Sequence, residues 1–140
     1  MALPRSILFA CGWNTVRSPM AAAILKQAGP AGLYVASAGV RRGEPDPFAD
    51  AVMREIGLEI AAHEPVTIED LADTNFDLVV TLSPEAHHAA LELTRTCAFE
   101  VEYWPVLDPT AMQGSREQIL AAYRALRDDL VRRIGGRLAA

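Results

Sequence analysis

The run Ile7-Leu8-Phe9-Ala10, Cys11 directly after it, and the helical pattern that begins at Ser18-Pro19 constrain this chain more than any other stretch. Ser6 to Ala10 reads as a buried strand. Ser18 is the expected N-cap, and Pro19 takes the first helical position, where its missing N–H costs nothing. Met20, Ala21, Ile24, Leu25 and Ala28 then recur at helical spacing until Gly29-Pro30 stops the pattern. A strand that feeds straight into a helix commits the chain to an α/β architecture. The connection itself is chemically pointed. Amide groups at a helix start face outward unpaired, and the helix dipole adds partial positive charge there. Cys11 would meet that field, and the thiolate is the form it favours. Arg17 adds a planar fork that can grip an oxyanion at two points. Cys11 and Arg17 are the candidate catalytic residues, and Gly12, Trp13, Asn14, Thr15, Val16 and Ser18 are the candidate substrate-binding cradle.

The remaining pattern repeats the alternation. Leu33 to Ala36 reads as a second strand, closed by Ser37-Ala38-Gly39, and Val40 to Pro45 as a polar loop carrying arginine. Asp46-Pro47 caps a helix with Phe48, Ala51, Val52 and Ile56 on one stripe, ended by Gly57. Leu58 to Pro65 is a connector, and Thr67 with Asp70 caps a short helix through Ala72. Phe76 to Leu82 is the clearest buried strand. Ser83-Pro84 opens a helix to about Thr94, and Cys97 to Tyr103 alternates as an edge strand with one wet face. A loop from Trp104 to Gly114 precedes the last helix. Ser115 and Gln118 box its start, and Ile119, Tyr123, Leu126, Leu130, Val131 and Ile134 form its stripe, with Gly135-Gly136 as its end. The expected fold is a four-stranded parallel sheet with about five helices on both faces, the anion loop following the first strand. In such folds ligands bind beyond the carboxyl ends of the strands, where the Cys11 loop lies.

With 140 residues the chain fits one domain, residues 1–140, and can bury a real core. A net charge of −5 without a basic run argues against nucleic acid as a partner. No apolar run reaches the length of about 18 residues needed to span a membrane. The N-terminal apolar core is too short for a signal peptide, and two distant cysteines make no secreted disulfide framework. A reducing cytoplasm is the expected compartment.

If Cys11 attacks phosphorus, the leaving oxygen needs a proton, and a carboxylic acid on a neighbouring loop can give it. Asp46 and Asp108 both precede proline. Asp46 already serves as an N-cap, whereas Asp108 stands in a loop after a strand and is the candidate third catalytic residue. Asn14 suits a left-handed backbone position. Cys97 reads as a buried strand residue, and His87 and His88 as solvated. No histidine has metal-ligand spacing, and no glycine-rich nucleotide motif is present, so no metal or cofactor is expected.

The segment Ile7 to Ala21, with Ser37-Ala38-Gly39, Gly57 to His63, Phe76 to Val80 and Asp108-Pro109, resembles the low-molecular-weight protein tyrosine phosphatases. The same fold serves a class of arsenate reductases. The resemblance implies a cysteinyl-phosphate mechanism without metal or cofactor. Cys11 would be the nucleophile, Arg17 the phosphate clamp and Asp108 the general acid. Asn14 and Ser18 would shape the loop, and Ser37 and His63 would support it. Three departures stand out. Trp13 replaces a usual glycine. Val16 stands where many members carry a protective second cysteine. Thr110 and Ala111 follow Asp-Pro where tyrosines usually flank a substrate ring, which leaves Trp13 or Trp104 for that role. The expected function is hydrolysis of a phosphorylated protein or small aryl phosphate. The alternatives are arsenate reduction with an external thiol (or Cys97) as reductant, and a non-catalytic anion-binding module.

Overall fold

A computed structural model of the protein describes residues 4–71 and 75–138. β1 (Ser6–Cys11) is buried from Ile7 onward on both faces, as an inner strand of a parallel sheet requires. It lies between β2 (Tyr34–Gly39) and β3 (Leu78–Thr81), and β4 (Glu100–Tyr103) closes the other edge in the order β2-β1-β3-β4. Every pairing is parallel. The register sets Cys11 beside Gly39, Ala10 beside Thr81, and Thr81 beside Tyr103. The strands therefore end nearly level, and the loops that follow them all emerge at one edge.

Helices cover both faces. α1 (Arg17–Ala28), α2 (Pro47–Arg54) and α4 (Arg116–Arg137) pack Met20, Leu25, Val52, Leu126, Leu130 and Ile134 against Ile7 and Phe9. α3 (Pro84–Leu93) lays Ala86 and Ala90 on Leu8, Ala10 and Val79 on the other face. Glu55, just after α2, is gripped by Arg124 and Arg127 of α4, which hold its carboxyl down to about 2.

Several boundaries differ from the expectations, each for a local reason. β2 runs on through Ser37-Ala38-Gly39, because β1 continues beside it to Cys11. α1 starts at Arg17 with Val16 before it and no side chain capping it; Ser18 is already helical and spends its hydroxyl elsewhere. α2 stops at Arg54 and leaves Ile56 exposed, and Gly57 takes the turn with φ of +79°. The Thr67–Asp70 pair does bond reciprocally, but over a 3-10 turn (Glu69–Leu71); Ala72 lies outside the described residues. Cys97 precedes β4 and is half-buried, not a strand residue. His87 is not simply solvated, since its ring stacks on Tyr103 at 4.6 Å and Nδ1 meets Thr81 Oγ1 at 3.0 Å. Val131 faces outward. Gly135 and Gly136 do not end α4, although each weakens a helix by about 1 kcal/mol relative to alanine. Continuing the helix carries Leu138 onto the core and brings Arg137 to Glu102. No helix of the described residues is long and apolar enough to cross a membrane.

Candidate active site

The start of the loop after β1 turns its carbonyls backward. Val40 N donates to Cys11 O at 3.1 Å, Arg41 N to Gly12 O at 2.9 Å, and Gly43 N to Trp13 O at 2.9 Å. Gly39 makes this approach possible, since a Cβ there would fall 2.8 Å from Asn14 N and 2.6 Å from Arg41 O. Among the described residues, no acceptor takes the amide hydrogens of Trp13 through Ser18. These N–H groups and the start of α1 form the kind of concavity that binds an oxyanion.

Asn14 makes the turn with φ of +58°, a left-handed angle that asparagine tolerates. Its side chain points away from the cradle and is fully buried. Oδ1 accepts from Val66 N at 2.9 Å and meets His63 Nε2 at 3.0 Å, while Nδ2 donates to Ser18 Oγ at 2.8 Å. Ser18 Oγ lies 2.9 Å from Cys11 Sγ and 3.3 Å from Ala38 O. The one hydroxyl proton of Ser18 can thus turn to the carbonyl, or to sulfur when sulfur is ionised. Burial pushes the His63 imidazole below its ordinary value of 6.5, against the opposing effect of its bond to Asn14. Ser37, expected in this network, is buried beside it in β2 but makes no side-chain bond recorded among the described residues.

Arg17 sits at the first turn of α1, its guanidinium held by Leu82 O at 3.3 Å. Its other nitrogen is 3.9 Å from Asp108 Oδ2. Asp108 caps a 3-10 turn (Pro109–Ala111), and its Oδ1 accepts from Thr110 N at 3.0 Å and Thr110 Oγ1 at 2.6 Å. Cys11, Trp13, Thr15, Val16, Arg17, Asp108 and Thr110 line one pocket. Of the residues singled out from the sequence, Gly12, Asn14 and Ser18 do not line it. Asp46 caps α2 through bonds from Phe48 N and Ala49 N and accepts from Tyr123 Oη at 2.7 Å, so it is occupied structurally.

The two tryptophans separate. Trp104 is only 8% exposed and packs on Phe9 at 6.1 Å, so it is core and cannot flank a substrate. Trp13 is 53% exposed at the pocket mouth and has no positive φ, so the loop takes a side chain there without strain. Thr110, which lines the pocket, was not anticipated as a site residue. The sequence signalled only the turn, since an Asp side chain bonds the backbone two residues on whatever residue stands there.

Cys97 is out of reach of Cys11. Leu78 is level with both Ile7 and Glu100, so Cys97 lies toward the amino edge of the sheet. The length of β1 from Ile7 to Cys11, about 13 Å at the usual strand rise, separates the two, whereas a disulfide needs Cα atoms within about 7 Å. The expectation that Cys97 could supply electrons internally is therefore withdrawn. Among the described residues, no group of three or more His, Cys, Asp or Glu side chains is placed to hold a metal ion.

The comparisons with known proteins agree with this fold. A family model described as low molecular weight phosphotyrosine protein phosphatase matches residues 6–139. An arsenate reductase of Halalkalibacterium halodurans is 33% identical over 128 residues, covering 91% of each chain. A solved arsenate reductase in its phosphate binding state superposes with a TM-score of 0.76 at 26% identity, covering 94% of this chain and 95% of that one. The YwlE arginine phosphatase of Geobacillus stearothermophilus gives 0.74 at 28% identity, over 94% of this chain and 89% of that one.

Proposed function

This chain belongs to the low molecular weight phosphotyrosine protein phosphatase family, whose chemistry runs through a cysteine, and on that premise we propose that it hydrolyses aryl phosphate esters. The Cys11 thiolate attacks phosphorus in line, forming the S–P bond as the P–O bond breaks. The protonated Asp108 carboxyl gives its proton to the departing phenolic oxygen. Loop amides and Arg17 hold the equatorial oxygens, whose charge grows in the transition state. A water then attacks phosphorus, Asp108 takes its proton, the S–P bond breaks, and phosphate leaves with the thiolate restored. Ser18 donates to that thiolate.

One observation carries this reading over reduction: Cys11 shares its edge of the sheet with no second thiol, and Val16 occupies the adjacent loop position. Hydrolysis needs only one sulfur. The similarity to proteins named arsenate reductase favours a second reading, in which Cys11 bonds arsenic and two thiols of a small external reductant release arsenite and become a disulfide.

The test runs purified protein against an aryl phosphate, phosphoarginine, and arsenate with glutathione in parallel. Aryl phosphate turnover that is lost in Cys11→Ser supports the proposal. Arsenate-dependent glutathione oxidation without ester hydrolysis would replace it with the second reading. Phosphate binding without any turnover would leave an anion-binding module.

A further inference from the structure

We propose that Arg41 and Glu85 are positioning residues that hold the Trp13 indole as an aromatic wall of the pocket, and so give the site a preference for aryl over alkyl groups on its anionic ligand. The inference rests on reading the pocket as a phosphate-ester site.

Three observations converge. The Arg41 guanidinium lies over the Trp13 ring, 4.9 Å from its centroid. Glu85 grips the same guanidinium at two points, 2.6 Å and 3.1 Å. The Arg41 backbone N–H is bonded to Gly12 O, one residue before Trp13, so its side chain starts beside the ring it covers. Trp13 itself lines the pocket with Cys11, Arg17 and Asp108.

The physical roles follow from these placements. An indole that is half exposed would sample several rotamers and lose entropy on stacking with a ligand. A guanidinium on one face favours a single arrangement, and its attraction to the ring is strongest when the cation is fixed in place. Glu85 fixes it. The carboxylate sits in the first turn of α3, where the helix dipole favours negative charge. Arg41 and Glu85 are both about half exposed, so the pair contributes little to fold stability. A two-point grip on an arginine stacked on a pocket-lining tryptophan is instead suited to orientation. With one face of the indole occupied by Arg41, its remaining surface is left to a planar ligand group, and ring–ring contact rewards an aryl substituent where an alkyl one gains only area.

The experiment measures calorimetric affinities of phenylphosphonate and methylphosphonate for the parent, Trp13→Ala, Arg41→Ala, Glu85→Ala and the charge-neutral double variant Arg41→Ala/Glu85→Ala. The parent should prefer phenylphosphonate by about tenfold, and Trp13→Ala should lose that preference. Arg41→Ala, Glu85→Ala and the double variant should each lower it by about two- to fivefold, with methylphosphonate affinity in the double variant unchanged. Adding Arg41→Ala to Trp13→Ala should have no further effect on the preference, since Arg41 acts through the ring. An unchanged phenyl-to-methyl ratio in Arg41→Ala and Glu85→Ala would overturn the inference, as would an equal loss for both phosphonates in the double variant. Both readouts are of binding. Absence of ester turnover in the parent would count against the proposed function and leave this comparison intact.

Discussion

His63 Nε2 stands 3.0 Å from Asn14 Oδ1 and 3.3 Å from the Asn14 carbonyl oxygen. Two acceptors facing one ring nitrogen fix it as N–H, so the neutral ring carries its lone pair on Nδ1. Asn14 relays this contact to Ser18, and Ser18 to Cys11. The ring is half-buried, and burial favours its neutral form.

The first prediction concerns pH. Because the folded chain holds His63 below 6.5, the unfolded chain takes up the proton first as pH falls. The stability contributed by neutral His63 is complete above pH 6.5 and is lost as pH falls through the lower folded value. Urea midpoints measured between neutral and mildly acidic pH should fall more steeply for the parent than for His63→Gln. Parallel curves would show that the ring does not sense its burial.

Replacing the nucleophile should separate binding from chemistry. Cys11→Ser should abolish aryl phosphate turnover, since a serine hydroxyl is hardly ionised here. It should still bind inorganic phosphate, because the amides and Arg17 are untouched. Residual turnover near the parent rate would refute the cysteinyl-phosphate route.

Asp108→Asn removes the proton donor and keeps the shape. The kcat for an ester with a poor leaving group should fall by about 10²–10⁴. An ester whose leaving phenol is already acidic should lose far less. Equal losses for both would assign Asp108 to binding alone.

Ser18→Ala deletes the hydroxyl between Asn14 and Cys11, where all three residues are buried. The stranded Asn14 amide should cost about 1–3 kcal/mol in stability. The kcat should fall as well, because the thiolate loses a donor. A thermal shift without a loss of kcat would limit Ser18 to holding the loop.

Oxidation supplies a fifth test. With Val16 beside it and Cys97 at the far edge, a Cys11 sulfenic acid has no thiol of its own chain to condense with. Peroxide should therefore drive Cys11 on to the irreversible sulfinic form. Mass spectrometry should record added oxygen and no intramolecular disulfide, and added phosphate should slow the reaction.

The fold was legible where local chemistry and burial agree. Ile7 to Ala10 is apolar because it is an inner strand, and Asp46 and Ser83 stand where their helices begin. The reading failed where a distant partner outbids a local preference. Ser18 has the residue type and place of an N-cap, yet its hydroxyl goes to Cys11, Asn14 and Ala38. Gly135 and Gly136 look like a helix end, but Leu138 beyond them has a place in the core. Trp13 and Trp104 are the same residue type in two loops at one edge of the sheet, and only the packing of Phe9 assigns Trp104 to the interior. The Arg41–Glu85 pair spans 44 positions of chain, a separation at which spacing carries no information.

The carbonyls of Cys11, Gly12 and Trp13 are already engaged from behind by Val40, Arg41 and Gly43. These three peptide planes are therefore oriented before any ligand arrives, with their oxygens turned to the neighbouring loop. A cation would find no acceptor from these peptides. A neighbouring loop thereby helps to set the sign of charge that the cradle amides favour.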